Sequence, residues 1–499
     1  MAPSSRHYHR LTAYQRHDMT PHRLDWAGQP RQYKSYPGLP GVNLPEISRL
    51  YDQDLRNVLA GGGVDASGRP PDLENLSRIL YLADGLTGRT RHQDGYFYYR
   101  SPPSAGALYP NELYLTWFGG DDLEAGLYHT EPYQRRLTRL RQGNFREFFP
   151  ATDAPQAGVF LISGIFFRSA WKYRQRAYRY LLLDGGHLIE STRLALAAAG
   201  LAGTIRYDFD DHQYNRLLGV DPDREVCLAA IHLTGPPGVD TASAPPVAEL
   251  PAEITAASRV SDRETVYEEI DQAHRAGSNG IPAVISTADI ETDDPFAVAA
   301  EWQALKYNLS DGDDPIGLDY AETVLRRRSR RNFIPAPVSA AQFSCLLEMV
   351  CRASLTGKNE SPTGSHTVHI GFLCYNVEGT APGFYRLDPR GRRIGRVTGQ
   401  DLIPGMTAAC LDQEWLKNAG LHLLFLTDLA FLDRHLGARG YRYAMMTAGR
   451  LGHVVYLAAT AMGLGCCGIG AFYDQEAEQL LGLKPTSALL YLTAVGQIR

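Results

Sequence analysis

The feature that most constrains this chain is an internal repeat, because one stretch of sequence occurs twice at a fixed spacing. Residues 176–220 match residues 439–483 without a gap when 263 is added to each number, and 16 of the 45 paired positions are identical. A spacing of this size is far too long for the repeating unit of a solenoid. The sequence therefore predicts two copies of one domain.

Each copy of the repeat begins with a segment that is predicted to form a buried helix. The segment from Tyr178 to Ala199 is apolar on nearly every side and contains no proline. A surface helix would instead show one polar face. Gly200 and its counterpart Gly463 stand at the ends of the two helices, where a left-handed cap favours glycine.

Length and composition indicate a globular protein with two large cores. The chain has 499 residues, of which 44% are hydrophobic and 21% charged. A net charge of −5 gives no indication of nucleic acid or of an anionic membrane as partner. The start of the chain lacks the apolar core of a signal peptide, and no apolar run is long enough to span a bilayer. We therefore expect a cytoplasmic protein.

Neither the cysteines nor the histidines follow the spacing of a metal site. The seven cysteines include no Cys-x-x-Cys pair, and the adjacent Cys466 and Cys467 are interpreted as buried thiols. Four histidines fall between residues 7 and 22 without a ligand pattern. We expect no metal.

Two segments of the chain are typical of ligand-binding loops. Residues 101–112 combine three prolines with a glycine and small residues, so their backbone can approach a flat ligand closely. Residues 325–333 place five arginines around Ser329, at the end of a helix predicted over 321–328. Arginine offers forked donors to phosphate. The alternative for this second segment is a solvated basic run.

Together these features resemble the FMN-dependent nitroreductase superfamily, specifically its SagB/ThcOx-type branch, over residues 20–235 and 320–499. The motifs that carry the resemblance are the Ser-Ala-Gly-Ala loop, the Arg-Arg-Ser-x-Arg segment and the Gly-Ile-Gly-Ala-Phe segment after the second long helix. The resemblance implies FMN as cofactor. The implied cofactor contacts are Ser104, Ala105, Gly106, Ala107 and Leu108, then Arg327, Arg328, Ser329 and Arg331, and finally Gly468, Ile469, Gly470 and Ala471.

The resemblance also implies the organisation of the chain. The expected fold is α+β, with two tandem domains that each have a central sheet flanked by helices and that form an intramolecular pseudo-dimer without a partner chain. The predicted segments are an extended N-terminal arm (1–45), a first domain (46–238), a linker with connecting helices (239–318) and a second domain (319–499).

A lysine–tyrosine pair is the predicted catalytic element. Members of the branch that oxidise azolines carry such a pair before the long helix, and Lys172-Tyr173 resembles it. A base must take a proton while the flavin takes a hydride, and crowding by Arg168, Arg174 and Arg176 would favour neutral Lys172. The alternative is a cationic surface patch with a packed tyrosine.

The two copies differ at these motifs. The first copy has no Arg-Arg-Ser-x-Arg segment, whereas the second shortens the loop, at residues 361–367, and has His435-Leu436 in place of the lysine–tyrosine pair. In the family, flavin sites combine residues of two domains, so all intact motifs would fall on one site. We therefore expect one FMN per chain.

Three functions remain open on the sequence alone. The first is hydride transfer between FMN and a small molecule or modified peptide, such as azoline dehydrogenation with oxygen as final acceptor. The second is reduction of nitro or quinone compounds with NAD(P)H. The third is a non-catalytic scaffold, a degenerate tandem that binds a peptide or a partner subunit.

Overall fold

The two copies of the repeat belong to two separate compact units. The computed structural model describes residues 4–19, 22–61, 70–92, 95–151, 154–235, 246–278, 295, 301–305, 315–355 and 367–499. The first unit spans Leu24–Asp271, and the second unit contains the described residues up to Arg23 and from Gln272 onward. Each unit holds one copy of the repeat.

Runs of consecutive strands separated by helices make up the chain, as expected for an α+β fold with antiparallel sheets. The helices are α1 (Ser5–Leu11), α2 (Leu55–Leu59), α3 (Leu73–Asp84), α4 (Phe166–Tyr173), α5 (Ala177–Ala198), α6 (Asp211–Leu218), α7 (Ala252–Thr255), α8 (Glu268–Ser278), α9 (Tyr320–Arg326), α10 (Ala340–Leu355), α11 (Ile403–Ala409), α12 (Leu429–Leu436), α13 (Arg439–Ala461) and α14 (Asp474–Leu480). The strands are β1 (Gly41–Asn43), β2 (Leu86–His92), β3 (Gly95–Arg100), β4 (Asn111–Trp117), β5 (Gly126–Glu131), β6 (Arg136–Gln142), β7 (Gln156–Ile165), β8 (Gly203–Arg206), β9 (Glu225–Thr234), β10 (Glu301–Ala304), β11 (His369–Cys374), β12 (Gly383–Asp388), β13 (Arg393–Thr398), β14 (Leu421–Asp428), β15 (Gly465–Ile469) and β16 (Ser487–Gly496).

Both units have the same central sheet of seven antiparallel strands. The strand order is β1-β6-β5-β4-β7-β9-β8 in the first unit and β10-β13-β12-β11-β14-β16-β15 in the second. The two orders correspond position by position, which confirms the prediction of two copies of one α+β domain. Within the described residues, β2 and β3 form the one two-stranded sheet.

The long helices are the centre of each unit, as predicted. All residues of α5 are buried, and in α13 only Thr460 is partly exposed. Gly200 and Gly463 follow these helices with φ of +75° and +73°, the left-handed conformation that glycine adopts without strain. Among the described helices, none combines the length and the hydropathy that a bilayer crossing requires.

The segment that was predicted to be an extended arm differs from that expectation. Residues 5–11 form α1, which begins at the N-cap Ser4 and packs on α12 and α13 of the second unit. His9 of this helix is 3% exposed, and its Nδ1 lies 3.0 Å from the hydroxyl of Tyr441. Residues from Leu24 onward belong instead to the first unit. Tyr8 and His9 attach α1 to Tyr441, a partner distant in sequence that the sequence of the arm does not show.

Part of the predicted linker also belongs to a core. Ile254 is 6% exposed and lies in the hydrophobic cluster of the first unit. Ser258 donates a hydrogen bond to Glu225, with Oγ 2.8 Å from Oε2. Residues 246–258 are therefore integral to the first unit, while residues 236–245 lie outside the described residues.

A buried ion pair fastens residues 24–45 to the sheet of the first unit. Lys34 Nζ lies 2.5 Å from Glu225 Oε2, and both side chains are at most 1% exposed. Tyr114 and Ser163 also donate hydrogen bonds to this carboxylate, over 2.8 and 2.6 Å. Although burial alone would lower the pKa of Lys34, Glu225 raises it above its ordinary value. The pair is therefore charged when folded.

We expect Glu225→Ala to destabilise the first unit by about 3–5 kcal/mol, because it leaves the Lys34 ammonium buried without its counter-ion. The double variant Lys34→Met/Glu225→Gln should lose less than the single variant, since no unpaired charge remains. Chemical denaturation measures both. Glu249→Ala, which removes a carboxylate with an 86% exposed side chain from the same unit, is the control. Equal stability of Glu225→Ala and wild type would contradict this interpretation.

Candidate functional site

The arginine segment of the second unit runs as an extended chain beside β15. Helix α9 ends at Arg326, two residues earlier than predicted, and Arg327 has extended dihedral angles of φ −52° and ψ 126°. Ser329 forms a parallel bridge with Cys466, and the backbone N–H of Arg330 donates to the Cys466 carbonyl over 2.9 Å. Successive side chains of an extended chain point to opposite faces. The segment therefore presents its side chains on two faces.

Arg327 and Ser329 share one of these faces with a tyrosine of α13. Arg327 is 3% exposed, and its guanidinium carbon lies 5.6 Å from the ring centre of Tyr456. The Tyr456 hydroxyl lies 3.0 Å from Ser329 Oγ and accepts a hydrogen bond from the backbone N–H of Gly468 over 2.7 Å. This tyrosine connects the arginine segment to the predicted glycine segment.

Arg331 follows Ser329 by two residues in the extended segment and lies near a tryptophan. Its guanidinium carbon is 5.9 Å from the ring centre of Trp415. Cys466 and Cys467 are both 2% exposed, and burial raises the pKa of both thiols, against the opposing effect of the neighbouring arginines. These cysteines are thus neutral buried thiols, as the sequence predicted.

Arg328 is placed apart from the other three predicted contacts. Together with Arg326 and Arg330 it lines a cavity of about 450 Å³ at the C-terminal end of α13. Its Nη1 donates to the backbone carbonyl of Leu325 over 3.1 Å. The C-terminal end of a helix carries partial negative charge and stabilises cations. The partial negative charge at the end of α13 thus explains why these arginines lie there. Arg328 does not share the face of Arg327.

Glycine is required where β15 ends. A Cβ atom on Gly468 would lie 1.7 Å from the hydroxyl oxygen of Tyr491, whose ring is 6% exposed and stacks on Phe425. Gly468, Gly470 and Ala471 are only partly buried, whereas the side chain of Ile469 lies in the core. The backbone of this segment can therefore approach a ligand, while Ile469 anchors it.

In the first unit, Asp184 of α5 holds the predicted ligand loop. Ser104 Oγ donates to Asp184 Oδ2 over 2.6 Å, and the backbone N–H of Ala105 donates to Oδ1 over 3.0 Å. The backbone N–H of Tyr109 in turn donates to Ser104 Oγ over 2.8 Å. Residues 104–108 are all at least partly exposed, and Gly106 is the most exposed of them. A buried carboxylate thus fixes a loop whose tip is accessible.

The backbone of this loop is strained. Gly106, Ala107 and Tyr109 have φ values of +64°, +55° and +48°. Only glycine adopts positive φ without cost, so the other two persist because the surrounding hydrogen bonds hold them. Strained backbone held in this way is found preferentially at functional sites.

The lysine–tyrosine pair lies against the same loop. A Cβ atom on Gly106 would be 3.0 Å from Lys172 Nζ and 2.8 Å from the hydroxyl oxygen of Tyr173. The ring of Tyr173 packs against that of Tyr180, with centres 4.2 Å apart. The structure therefore brings two separately predicted elements of the first unit, the loop and the pair, into contact.

Arg168, one of the arginines predicted to crowd Lys172, has its charge paired elsewhere. The Arg168 side chain is 0% exposed and forms an ion pair with Glu112, with Nη1 2.5 Å from Oε1. Its Nε also donates to the carbonyl of Arg31 over 3.0 Å. Although burial opposes the effect, Arg168 and His129 hold the pKa of Glu112 well below its usual range. Arg168 is a structural residue whose charge is already paired.

Asp184 and Tyr456 were not found from the sequence. Both lie on the long helices, at positions where the other copy has a different residue: Thr447 corresponds to Asp184, and Arg193 corresponds to Tyr456. The available signal was a polar side chain in a helix otherwise predicted to be buried. The shortened loop at residues 361–366 and the first-copy segment at 62–69 lie outside the described residues.

Comparison with known proteins identifies both units. A model of the nitroreductase family matches residues 67–235 and 324–497, which is more than half of the chain. The chain belongs to the nitroreductase family. It is therefore a nitroreductase-family oxidoreductase built from two tandem nitroreductase domains.

Two related proteins agree with this assignment. A protein of Methanocaldococcus jannaschii, provisionally named as a nitroreductase, is 28% identical over 172 residues, which cover 34% of this chain and 87% of that protein. A crystal structure of a protein from Anabaena variabilis, also provisionally named as a nitroreductase, superposes with a TM-score of 0.77 at 24% identity and covers 99% of both chains. The second likeness shows that the tandem fold extends over the full length of both proteins.

The two nitroreductase domains carry different predicted elements. The first domain contains the loop at residues 104–108 with Lys172 and Tyr173, and the second contains Arg327, Ser329 and Arg331 beside the segment at 468–471. Duplication of a family domain followed by divergence of each copy accounts for this distribution.

Asp184 should make stability depend on pH. Burial raises the pKa of Asp184 to about 7, against the opposing hydrogen bonds from Ser104 and Ala105, whereas an unfolded aspartate titrates near pH 3.9. The unfolded state therefore loses its proton first, and the stability that Asp184 contributes should fall from about pH 4 to pH 7 and level off above. We expect the stability of wild type relative to Asp184→Asn to decline by a few kcal/mol over that range, at about 1.4 kcal/mol per pH unit.

Thermal unfolding of both proteins at intervals between pH 4 and pH 8 measures this difference, because other titrating groups cancel. Asp262→Asn removes an exposed carboxylate of the same unit and serves as control. Parallel pH profiles for wild type and Asp184→Asn would show that the carboxylate does not titrate in this range.

Proposed function

We propose that this chain is an FMN-dependent oxidoreductase that transfers a hydride between the flavin and a small molecule or modified peptide. Within that class, we propose dehydrogenation of an azoline-like ring, the SagB-type reaction. The observation that carries the proposal is the face shared by Arg327, Ser329 and Arg331, connected through Tyr456 to the glycine segment that begins at Gly468.

The residues of the second unit fit the two ends of FMN. Two guanidinium groups and a hydroxyl on one face offer donors for a phosphate, and hydrogen bonds to charged groups contribute about 1.5–3 kcal/mol each. Gly470 and Ala471 follow Gly468 with a partly exposed backbone that a flat ring can approach. Arg327, Ser329 and Arg331 would therefore hold the phosphate, and Gly468, Ile469, Gly470 and Ala471 would lie along the ring.

FMN, when bound, would supply a two-electron acceptor or donor for the hydride, and the protein would supply orientation and proton transfer. Loss of a hydride from one ring atom of the substrate leaves a proton to be removed from the neighbouring atom. Lys172 Nζ would take that proton, and Tyr173 would position the substrate. The assignment of Lys172, Tyr173 and residues 104–108 to the flavin site rests on the resemblance to the SagB/ThcOx-type branch.

We expect purified protein to be yellow and to contain about one FMN per chain, since the first copy has no arginine segment. The variant Arg327→Ala/Arg331→Ala should be folded and colourless. Loss of two charge-assisted hydrogen bonds of about 1.5–3 kcal/mol each corresponds to about 10²–10⁴-fold weaker FMN binding. Release of flavin by heat, compared with protein concentration from amino-acid analysis, measures the content.

A matched control removes the same charge from the other face of the same segment. Arg326→Ala/Arg330→Ala alters the two cavity arginines and should retain its flavin. If both double variants lose flavin equally, general basicity rather than a shaped phosphate site explains binding. Full flavin content in Arg327→Ala/Arg331→Ala would refute the assignment, and two flavins per chain would refute the single site.

Lys172→Ala should retain FMN but lose substrate-dependent reduction of the flavin, because a positioned base contributes about 10²–10⁴-fold to the rate. Anaerobic bleaching of the flavin, followed across candidate azoline substrates, measures the step. Arg49→Ala removes a cation with a 79% exposed side chain from the first unit, outside the arginines that surround Lys172, and serves as control.

The outcome of this experiment also separates the remaining functions. Unchanged turnover with NAD(P)H and nitro or quinone compounds in Lys172→Ala would favour the simple reductase, which needs no such base. A wild-type protein that binds no flavin would favour the non-catalytic scaffold.

A further inference from the structure

The side chain of Tyr456 contacts both ends of the proposed flavin site in the second unit. It projects from α13 and is 2% exposed. Its hydroxyl lies 3.0 Å from Ser329 Oγ in the arginine segment and 2.7 Å from the backbone nitrogen of Gly468. Burial raises the pKa of this phenol well above its usual value, so the hydroxyl retains its proton at any working pH.

The hydrogen bonds of this hydroxyl have a preferred direction. The N–H of Gly468 can only donate, so the Tyr456 oxygen accepts from it. The phenolic proton is then available for Ser329 Oγ, 3.0 Å away. A hydroxyl oxygen can accept such a proton. With one lone pair of Ser329 occupied in this way, its own proton is directed outward, to the exposed side of the segment.

In the described part of the first unit, the residue at the position of Tyr456 makes a different contact. Arg193 stands at the position of Tyr456, and both its Nε and its Nη2 donate to Glu190 Oε1, over 3.0 and 2.6 Å. This arginine serves an ion pair within its own helix. The tyrosine is therefore specific to the copy that has the arginine segment.

We infer that Tyr456 is a positioning residue that makes the site select a phosphorylated flavin: it donates to Ser329 and thereby aims the Ser329 hydroxyl at the phosphate. The inference rests on the proposed function, because it assumes that this face holds the phosphate of FMN. It assigns to a residue of the core helix the discrimination between FMN and riboflavin, which differ in the phosphate alone.

The test compares FMN and riboflavin binding to apoprotein by quenching of flavin fluorescence. Tyr456→Phe should weaken FMN about 10-fold or more, since a hydrogen bond to a charged group is lost or misdirected. Riboflavin affinity should be unchanged. Tyr441→Phe removes another buried tyrosine hydroxyl from the same helix, one that bonds His9 instead, and should affect neither ligand.

A double-mutant cycle shows whether Tyr456 acts through Ser329. If it does, Tyr456→Phe/Ser329→Ala binds FMN no more weakly than Ser329→Ala alone. Additive losses, or an equal loss for riboflavin, would overturn the inference, because either result places the role of Tyr456 elsewhere. Wild-type FMN affinity in Tyr456→Phe would overturn it as well.

The same titrations distinguish this inference from the proposed function. Arg327→Ala/Arg331→Ala with wild-type FMN affinity would refute the phosphate site itself. Weak FMN binding in that variant together with normal binding in Tyr456→Phe would refute only the role of Tyr456.

Discussion

The burial of one long helix in each unit is the constraint on which the rest of the structure depends. A helix enclosed on all sides offers no water to its polar side chains, so each of them must find a protein partner or cost free energy. In the first unit Asp184 hydrogen-bonds with the ligand loop, and in the second unit Tyr456 hydrogen-bonds with the arginine segment and the glycine segment. The helix that fills the core therefore also positions the segments that we assign to the ligand.

The same constraint explains how the two copies diverged. Both domains keep the buried helix and the strand order, which their cores require. The copies differ at two positions of the helix, where Asp184 stands opposite Thr447 and Tyr456 opposite Arg193, and Asp184 and Tyr456 each contact a candidate segment of their own unit. Divergence of the site was thus possible without a change of fold.

The first unit contains two buried ion pairs in addition to its hydrophobic core. Lys34 pairs with Glu225 and Arg168 with Glu112, and all four side chains are at most 2% exposed. Burying charges is costly even when they are paired, so such pairs favour a unique arrangement more than they add stability. Here they fix the segment at residues 24–45 and the backbone of Tyr109 next to the ligand loop. Their placement indicates a role in holding the loop in one geometry.

The sequence by itself determined the duplication, the buried helices and the positions of the candidate motifs, because each of these depends on local pattern or on a spacing that can be counted. The α+β domain was implied by the family resemblance that those motifs carry. Tertiary structure decided which residues of a motif share a face. Because α9 ends at Arg326 and the chain continues extended, Arg328 points away from Arg327, whereas a helix continued to Arg328 would have arranged them differently. Partners distant in sequence, such as Glu112 for Arg168 and Ser104 for Asp184, were decided in the same way, since only the folded chain brings them together.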